Sequence, residues 1–179
     1  MSIVFVANFL AVLALGAAAI ALLLLVVDRI GGADLLRSLL GRRMALALAA
    51  LVAAVSMAGS LYFSEVAGLV PCVLCWYQRI AMYPLAILLT LAAVRGDQSF
   101  RPYAATLAAI GTLIAAYHVA LQRLPGLPSG SCSIEAPCTA IQIELFGFVT
   151  IPVMALIGFS TILILLFVTR ERPTEDPSE

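Results

Sequence analysis

Apolar residues fall in five long runs separated by short polar stretches: Ile3 to Val27, Met44 to Phe63, Val73 to Val94, Tyr103 to Leu121 and Ile151 to Val168. Each run is close to the ~20 residues with which an α-helix crosses ~30 Å of hydrocarbon. The pattern predicts an all-α integral membrane helical bundle with five spans. A secretory signal has a basic leader and an apolar stretch of only ~7–15 residues, so the longer, unflanked first run is expected to be a retained helix. Gly59, Pro84, Gly111 and Pro152 lie in or beside the runs. Neighbouring groups can repair the hydrogen bonding they disturb, and Pro152 sits at a first-turn position where its missing N–H costs little.

Composition agrees with the pattern. Of 179 residues, 63% are apolar and 11% charged, against about a quarter charged in soluble domains. No room is left for a separate soluble domain. Net charge zero, one His and no basic block argue against nucleic acid as a partner. The ten arginines, with no Lys, are distributed unevenly: Arg29, Arg37, Arg42 and Arg43 between spans one and two, Arg95 and Arg101 between three and four, Arg170 and Arg172 in the tail. The other side has only Arg123, and Arg79 lies within a span. The positive-inside rule therefore predicts N-out and C-in.

The connections carry further expectations. Asp28 to Arg43, with Leu35, Leu36, Leu39 and Leu40 among its charges, is expected to form a short interfacial helix. Leu124 to Gly130 is rich in turn residues. Thr139 to Phe148 has Ile141, Leu145 and Phe148 at i, i+4 and i+7, which predicts a helix lying on the membrane surface. The tail from Arg170 to Glu179, with two Pro and four acids, reads as disordered.

All four cysteines fall on the outer side. Cys72 and Cys75 form a C-x-x-C at the mouth of span three, and Cys132 and Cys138 lie in the outer loop. An outward compartment is oxidising and permits disulfides. A four-thiolate zinc site is disfavoured by the wide C-x5-C spacing and the lack of a nearby His; purely structural staples are the stronger alternative. Redox chemistry is favoured over stapling by the first pair's position. Pro71-Cys72 opens a helix and puts Cys75 in its first turn, where free amides and the helix dipole favour a thiolate. Arg79, four residues on, shares that face about 10 Å below Cys72. It is either an interfacial anchor or a fixed cation for an anion beside Cys75. Trp76 and Tyr77 belong to an aromatic belt or to a wall for a planar ring. His118 lies at a similar depth near the outer end of span four, a packing residue or a participant. Gln122, Arg123 and Glu65 are expected to be solvated.

Pro71-Cys72-Val73-Leu74-Cys75-Trp76-Tyr77-Gln78-Arg79 with Met82-Tyr83-Pro84 closely resembles the signature of the DsbB and BdbC disulfide-bond-formation proteins. So does Cys132-Ser133 through Pro137-Cys138-Thr139, followed by Phe146-Gly147-Phe148-Val149-Thr150-Ile151-Pro152. The resemblance implies a four-helix core over 44–169, an extra N-terminal transmembrane helix and linker over 1–43, and a tail over 170–179. It also implies a thiol oxidase of the bacterial cytoplasmic membrane that reoxidises a thioredoxin-fold partner of the DsbA or BdbD kind and passes two electrons to ubiquinone or menaquinone. Cys132 would be attacked by the partner, Cys138 would then attack Cys72, and Cys75 would meet the quinone with Arg79 and His118 nearby. The chain departs from the family in its short Cys132–Cys138 loop, which resembles the Gram-positive branch, and in Gln78, where some members carry an acid. The rivals are a vitamin K epoxide reductase-like quinone reductase, whose C-x-x-C usually lies in the last helix, and a structural membrane protein braced by two disulfides. Both disulfides are expected to be closed at rest.

Overall fold

The computed structural model describes residues 3–32, 40–124, 126–127, 132 and 136–169. Five helices follow the five apolar runs: α1 (Ile3–Arg29), α2 (Arg42–Leu61), α3 (Val73–Arg95), α4 (Arg101–Arg123) and α5 (Ile151–Val168). All are long and apolar enough to cross a membrane. The runs marked the helices to within three residues, because in lipid each backbone N–H and C=O must be satisfied within its own segment. Helix α2 continues into a π-helical turn, Tyr62–Val66, and a 3₁₀ turn, Gln98–Phe100, joins α3 to α4.

The core is built from small residues. Helix α2 packs along α3, α3 along α4, α4 along α5, and α5 also meets α2 and α1. Ala45, Ala49, Ala53, Ala92, Ala104, Ala108 and Ala115 are fully buried at these crossings. Lipid is as apolar as a leucine side chain, so association here rests on close van der Waals approach, which alanine permits. Gly111 is the tightest case, since an added Cβ would overlap the buried Phe159 ring of α5.

The end of the bundle opposite the cysteines is locked by hydrogen bonds. Arg101, counted in the sequence among the loop arginines, is buried and donates to the Leu166 carbonyl, to Thr169 Oγ1 at 2.7 Å and to Gln98 Oε1 at 3.0 Å. It pins the start of α4 to the end of α5. Gly96 closes α3 in the left-handed conformation (φ 69°), and the Asp97 carboxylate accepts from the Ser99 amide at 2.8 Å. The proposed interfacial helix between Asp28 and Arg43 falls mainly on residues 33–39, and the tail on 170–179; both lie outside the described residues.

The surface helix expected over Thr139 to Phe148 is not formed. A two-stranded antiparallel hairpin replaces it, β1 (Glu144–Leu145) against β2 (Val149–Thr150). Turn chemistry wins over the i, i+4, i+7 pattern. Phe146 (φ 54°) and Gly147 (φ 74°) are both left-handed, and Phe148 N–H returns to the Leu145 carbonyl at 3.2 Å. Helical hydrogen bonding cannot pass through such a turn, and the β-branched Val149 and Thr150 favour the extended return.

Candidate active site

The four cysteines converge at one end of the bundle. Cys72 and Cys138 are buried in one cluster with Leu74 and Leu121, and Cys75 and Cys132 pack against it. Cys132 and Cys138 are joined as a disulfide; Cys72 and Cys75 are free thiols with their sulfurs 3.0 Å apart. One pair is therefore closed, where both were expected to be.

Local backbone geometry sets the first pair. Cys72 is the N-cap of α3, with extended backbone (φ −71°, ψ 171°), and its sulfur accepts the Cys75 N–H at 3.4 Å. The free amides of the first turn thus favour charge on the capping sulfur, Cys72, where the sequence pointed to Cys75. The Cys75 thiol donates to the same sulfur, which outweighs the penalty of burial, and His118 adds to the effect. Cys72, just outside the spanning helix, is held well below the usual thiol range, at about 4.

His118 stands between the two pairs. It is fully buried on α4, with Nε2 3.6 Å from Cys72 Sγ and 3.1 Å from the Cys138 carbonyl oxygen. The Gln78 side-chain nitrogen lies 3.3 Å from Nδ1. With that amide donating to Nδ1, the ring carries its proton on Nε2 and directs it at the two cysteine positions. Gln78 marked only a departure from the family pattern in the sequence; its one-turn spacing from Cys75 was the available signal. Cys72, Cys75 and His118 offer three donor atoms within 4.8 Å of one another, a thiolate–imidazole set that suits a soft divalent ion. Nε2 is already engaged by the Cys138 carbonyl, and the loop cysteines are bonded to each other rather than available as ligands.

Polar residues expected to be solvated hold the loop over this site. Gln122 donates to the Ala140 carbonyl at 3.2 Å and accepts from Thr150 Oγ1 at 2.8 Å. Arg123 donates to the Phe148 carbonyl at 2.9 Å and pairs with Glu144 at 3.2 Å. Gln142 reaches the Val70 carbonyl, just before the C-x-x-C, at 2.7 Å. The segment 140–143, which leads into the hairpin, therefore covers the C-x-x-C.

On its other side Cys75 faces a large apolar cavity of about 570 Å³, within the ~300–1,000 Å³ range of small-molecule sites. Arg79, Gln78, Ser60 and Tyr83 give this cavity its polar end. Arg79 donates from Nε to Ser60 Oγ and from a terminal nitrogen to the Ser60 carbonyl, both at 3.0 Å, and its guanidinium lies 5.3 Å from the Trp76 ring centre. Its head is thus fixed on Ser60, near the outer end of α2. Trp76 and Tyr77 are themselves exposed, on the lipid-facing side. Ser60 was not singled out in the sequence, where a lone serine at the end of an apolar run has no distinguishing pattern.

Residues 42–169 match the family of Disulfide bond formation protein DsbB. The chain belongs to the DsbB family. It is 44% identical over 126 residues to Disulfide bond formation protein C of Bacillus subtilis (strain 168), covering 69% of this chain and 91% of that protein. It is 48% identical over 111 residues to Probable disulfide formation protein C 1 of Bacillus cereus (strain ATCC 10987 / NRS 248), covering 62% and 80%. Over 120 residues it is 42% identical to Probable disulfide formation protein of Oceanobacillus iheyensis, covering 65% and 83%. No solved structure gives a significant match. Membership in the DsbB family, with five spanning helices, makes this a multi-pass membrane protein of disulfide-bond formation. All six sequence-derived site residues lie inside the DsbB match; α1 lies outside it.

Proposed function

We propose that this DsbB-family protein is a quinone-dependent thiol oxidase of the bacterial cytoplasmic membrane, regenerating a thioredoxin-fold oxidant of the DsbA or BdbD kind. The observation that carries the proposal is the position of the Cys72–Cys75 pair, between a loop disulfide on one side and an apolar cavity ending at Arg79 on the other. The arginine bias of the opposite end supports N-out and C-in, with the cysteines on the extracytoplasmic face.

The relay begins with the partner's thiolate attacking Cys132, which forms an intermolecular disulfide and releases Cys138. The partner's second thiolate then resolves that bond, and the partner leaves oxidised. Cys138 attacks Cys72 of the closed Cys72–Cys75 bond and frees Cys75; Cys132 attacks Cys138, restores the loop disulfide and leaves Cys72 and Cys75 reduced. The observed state, loop bond closed and helix-cap pair open, is the end of this sequence. His118 directs its Nε2 proton at Cys72 and so favours the release of that sulfur when Cys132 takes back Cys138.

The final step closes the pair. Oxidation joins Cys72 Sγ to Cys75 Sγ, 3.0 Å apart, as the pair gives up two electrons and the proton on Cys75, the proton of Cys72 having already gone to solvent on ionisation. Quinone, when bound, supplies the acceptor for both. The residues fit such a ligand: a cavity that is apolar along most of its length, one sulfur facing it, and a guanidinium pinned by Ser60 to stabilise negative charge developing there. Net, one partner dithiol and one quinone give one partner disulfide and one quinol.

Thiol and quinol counting tests the proposal. The purified protein is fully reduced and mixed with a soluble quinone in the absence of oxygen. Loss of four thiols with about two quinols formed per chain is expected. No thiol loss in a folded protein would mean that the cysteines brace the loop or work in the opposite redox direction.

A further inference from the structure

The DsbB match starts at residue 42 and leaves α1 unaccounted for. In the structure α1 leans on α5 and approaches α2 closely where Leu10 fills the space a Cβ at Gly59 would need. Below that contact the two helices are separated by the large cavity. Its polar end, at Cys75, Arg79 and Ser60, lies level with Leu10. Its other end is lined by Leu13, Gly16 and Ile20 of α1 and by Leu51 and Val55 of α2. Ten residues separate Leu10 from Ile20 and nine separate Leu51 from Ser60, so the cavity runs about 13–15 Å into the bilayer at 1.5 Å per residue. At Gly16 an added Cβ would meet nothing within 4 Å.

We propose that α1 is the wall of a tail channel, so that this protein selects a quinone by its polyprenyl chain as well as by its ring. This inference rests on the quinone proposal above and extends it to residues outside the family match. A site that is polar at the redox-active cysteine and mostly apolar for the next 13–15 Å, with Ser56 its one hydroxyl below Ser60, is complementary to a ligand with a polar head and a long, flexible apolar tail. A soluble quinone would use only the upper end. Without α1 the tail would lie against lipid, and the head would be held by the Arg79 end alone. Gly16 lies on the channel wall at a point where an added Cβ meets no neighbour within 4 Å, so a larger side chain there has room to enter the cavity.

The experiment is equilibrium binding to the full-length protein in nanodiscs, read by quenching of Trp76, the only tryptophan in the chain and the residue beneath Arg79. Benzoquinone and naphthoquinone rings are each used without a tail and with a geranylgeranyl tail. Gly16→Phe is expected to weaken binding of the tailed form about tenfold or more, as overpacking does, and to leave the tail-less form unchanged. Ala19→Phe, on the same helix but outside the cavity lining, should change neither. Unaltered binding of the tailed quinone to Gly16→Phe would overturn the channel. So would equal weakening of both forms, or an equal effect of Ala19→Phe. If the wild-type protein binds none of the quinones, the quinone proposal itself fails, and the tail-less arm makes that outcome distinct from failure of the channel alone.

Discussion

Cys72 and Cys75 are one helical turn apart, yet they face different surroundings. Cys72 is buried against the loop, under His118, in a small pocket lined by Gln122, Gln142 and Pro137. Cys75 borders that pocket too, but it alone of the pair also opens onto the apolar cavity with Arg79. The polar side offers hydrogen-bond donors and a second sulfur pair; the apolar side offers a hydrophobic slot and a fixed cation. A C-x-x-C across a helix N-terminus can therefore serve two exchange partners that never meet. In the proposed function the capping sulfur exchanges with the loop pair, and the first-turn sulfur faces the quinone.

The strongest way to break this division is to remove one sulfur at a time. Cys75→Ser should lower quinol formation by about a thousandfold or more, while a Cys132-linked disulfide with the partner still forms and is visible on a non-reducing gel. Normal quinol production in that variant would remove Cys75 from its role. Next in size, Arg79→Ala should slow quinone reduction on the order of ten- to a hundredfold and leave exchange among the four cysteines at its wild-type rate, measured by quenched-flow alkylation. An unchanged quinone titration would return Arg79 to an anchoring role.

On the polar side, His118→Ala should slow transfer from Cys138 to Cys72 by roughly tenfold and spare the quinone half-reaction. The pH dependence sharpens this. In the reduced protein Cys72 is ionised down to about 4, whereas an ordinary thiol protonates near ~8.5. Its alkylation rate should thus stay flat as pH falls from neutral and drop only near that value, and His118→Ala should move the drop upward. Because the folded value is depressed, the stabilisation it gives the reduced fold is complete above the unfolded thiol's range and is lost as pH falls towards about 4. A drop already near pH 8 in the wild type would contradict the donor arrangement at Cys72. The smallest effect is expected from Gln78→Leu, which leaves His118 in place but frees its tautomer; exchange should slow by only a few-fold.

Much of this arrangement was legible in the sequence. The five helices followed from hydrophobic run length alone, because the bilayer fixes both the length and the internal hydrogen bonding of each segment. The similar depth of Arg79 and His118 was legible, but not that His118 turns to Cys72 on the loop side while Arg79 lines the cavity beyond Cys75. The hairpin at Glu144 to Thr150 was missed because three apolar residues at helical spacing concealed the Phe146-Gly147 turn, whose backbone requires positive φ. Gln78, Ser60 and Gln122 were missed because their importance lies in pairings across helices, 40 residues apart for Gln78 and His118. The identity of the charged sulfur was also hidden. N-cap and first-turn positions both border the helix dipole, and only the backbone geometry at Cys72 decides which sulfur receives the Cys75 amide.

The division between the two sulfurs is tested most directly by trapping the handover between the pairs. The Cys75→Ser, Cys132→Ser double variant retains Cys72 and Cys138, and the Cys72→Ser, Cys132→Ser variant retains Cys75 and Cys138. Each is oxidised mildly, digested and mapped for disulfides by mass spectrometry. If Cys72 is the sulfur that serves the loop, the first variant closes a Cys72–Cys138 bond readily and the second forms little Cys75–Cys138 bond. Equal yields of the two bonds, or more of the second, would contradict it.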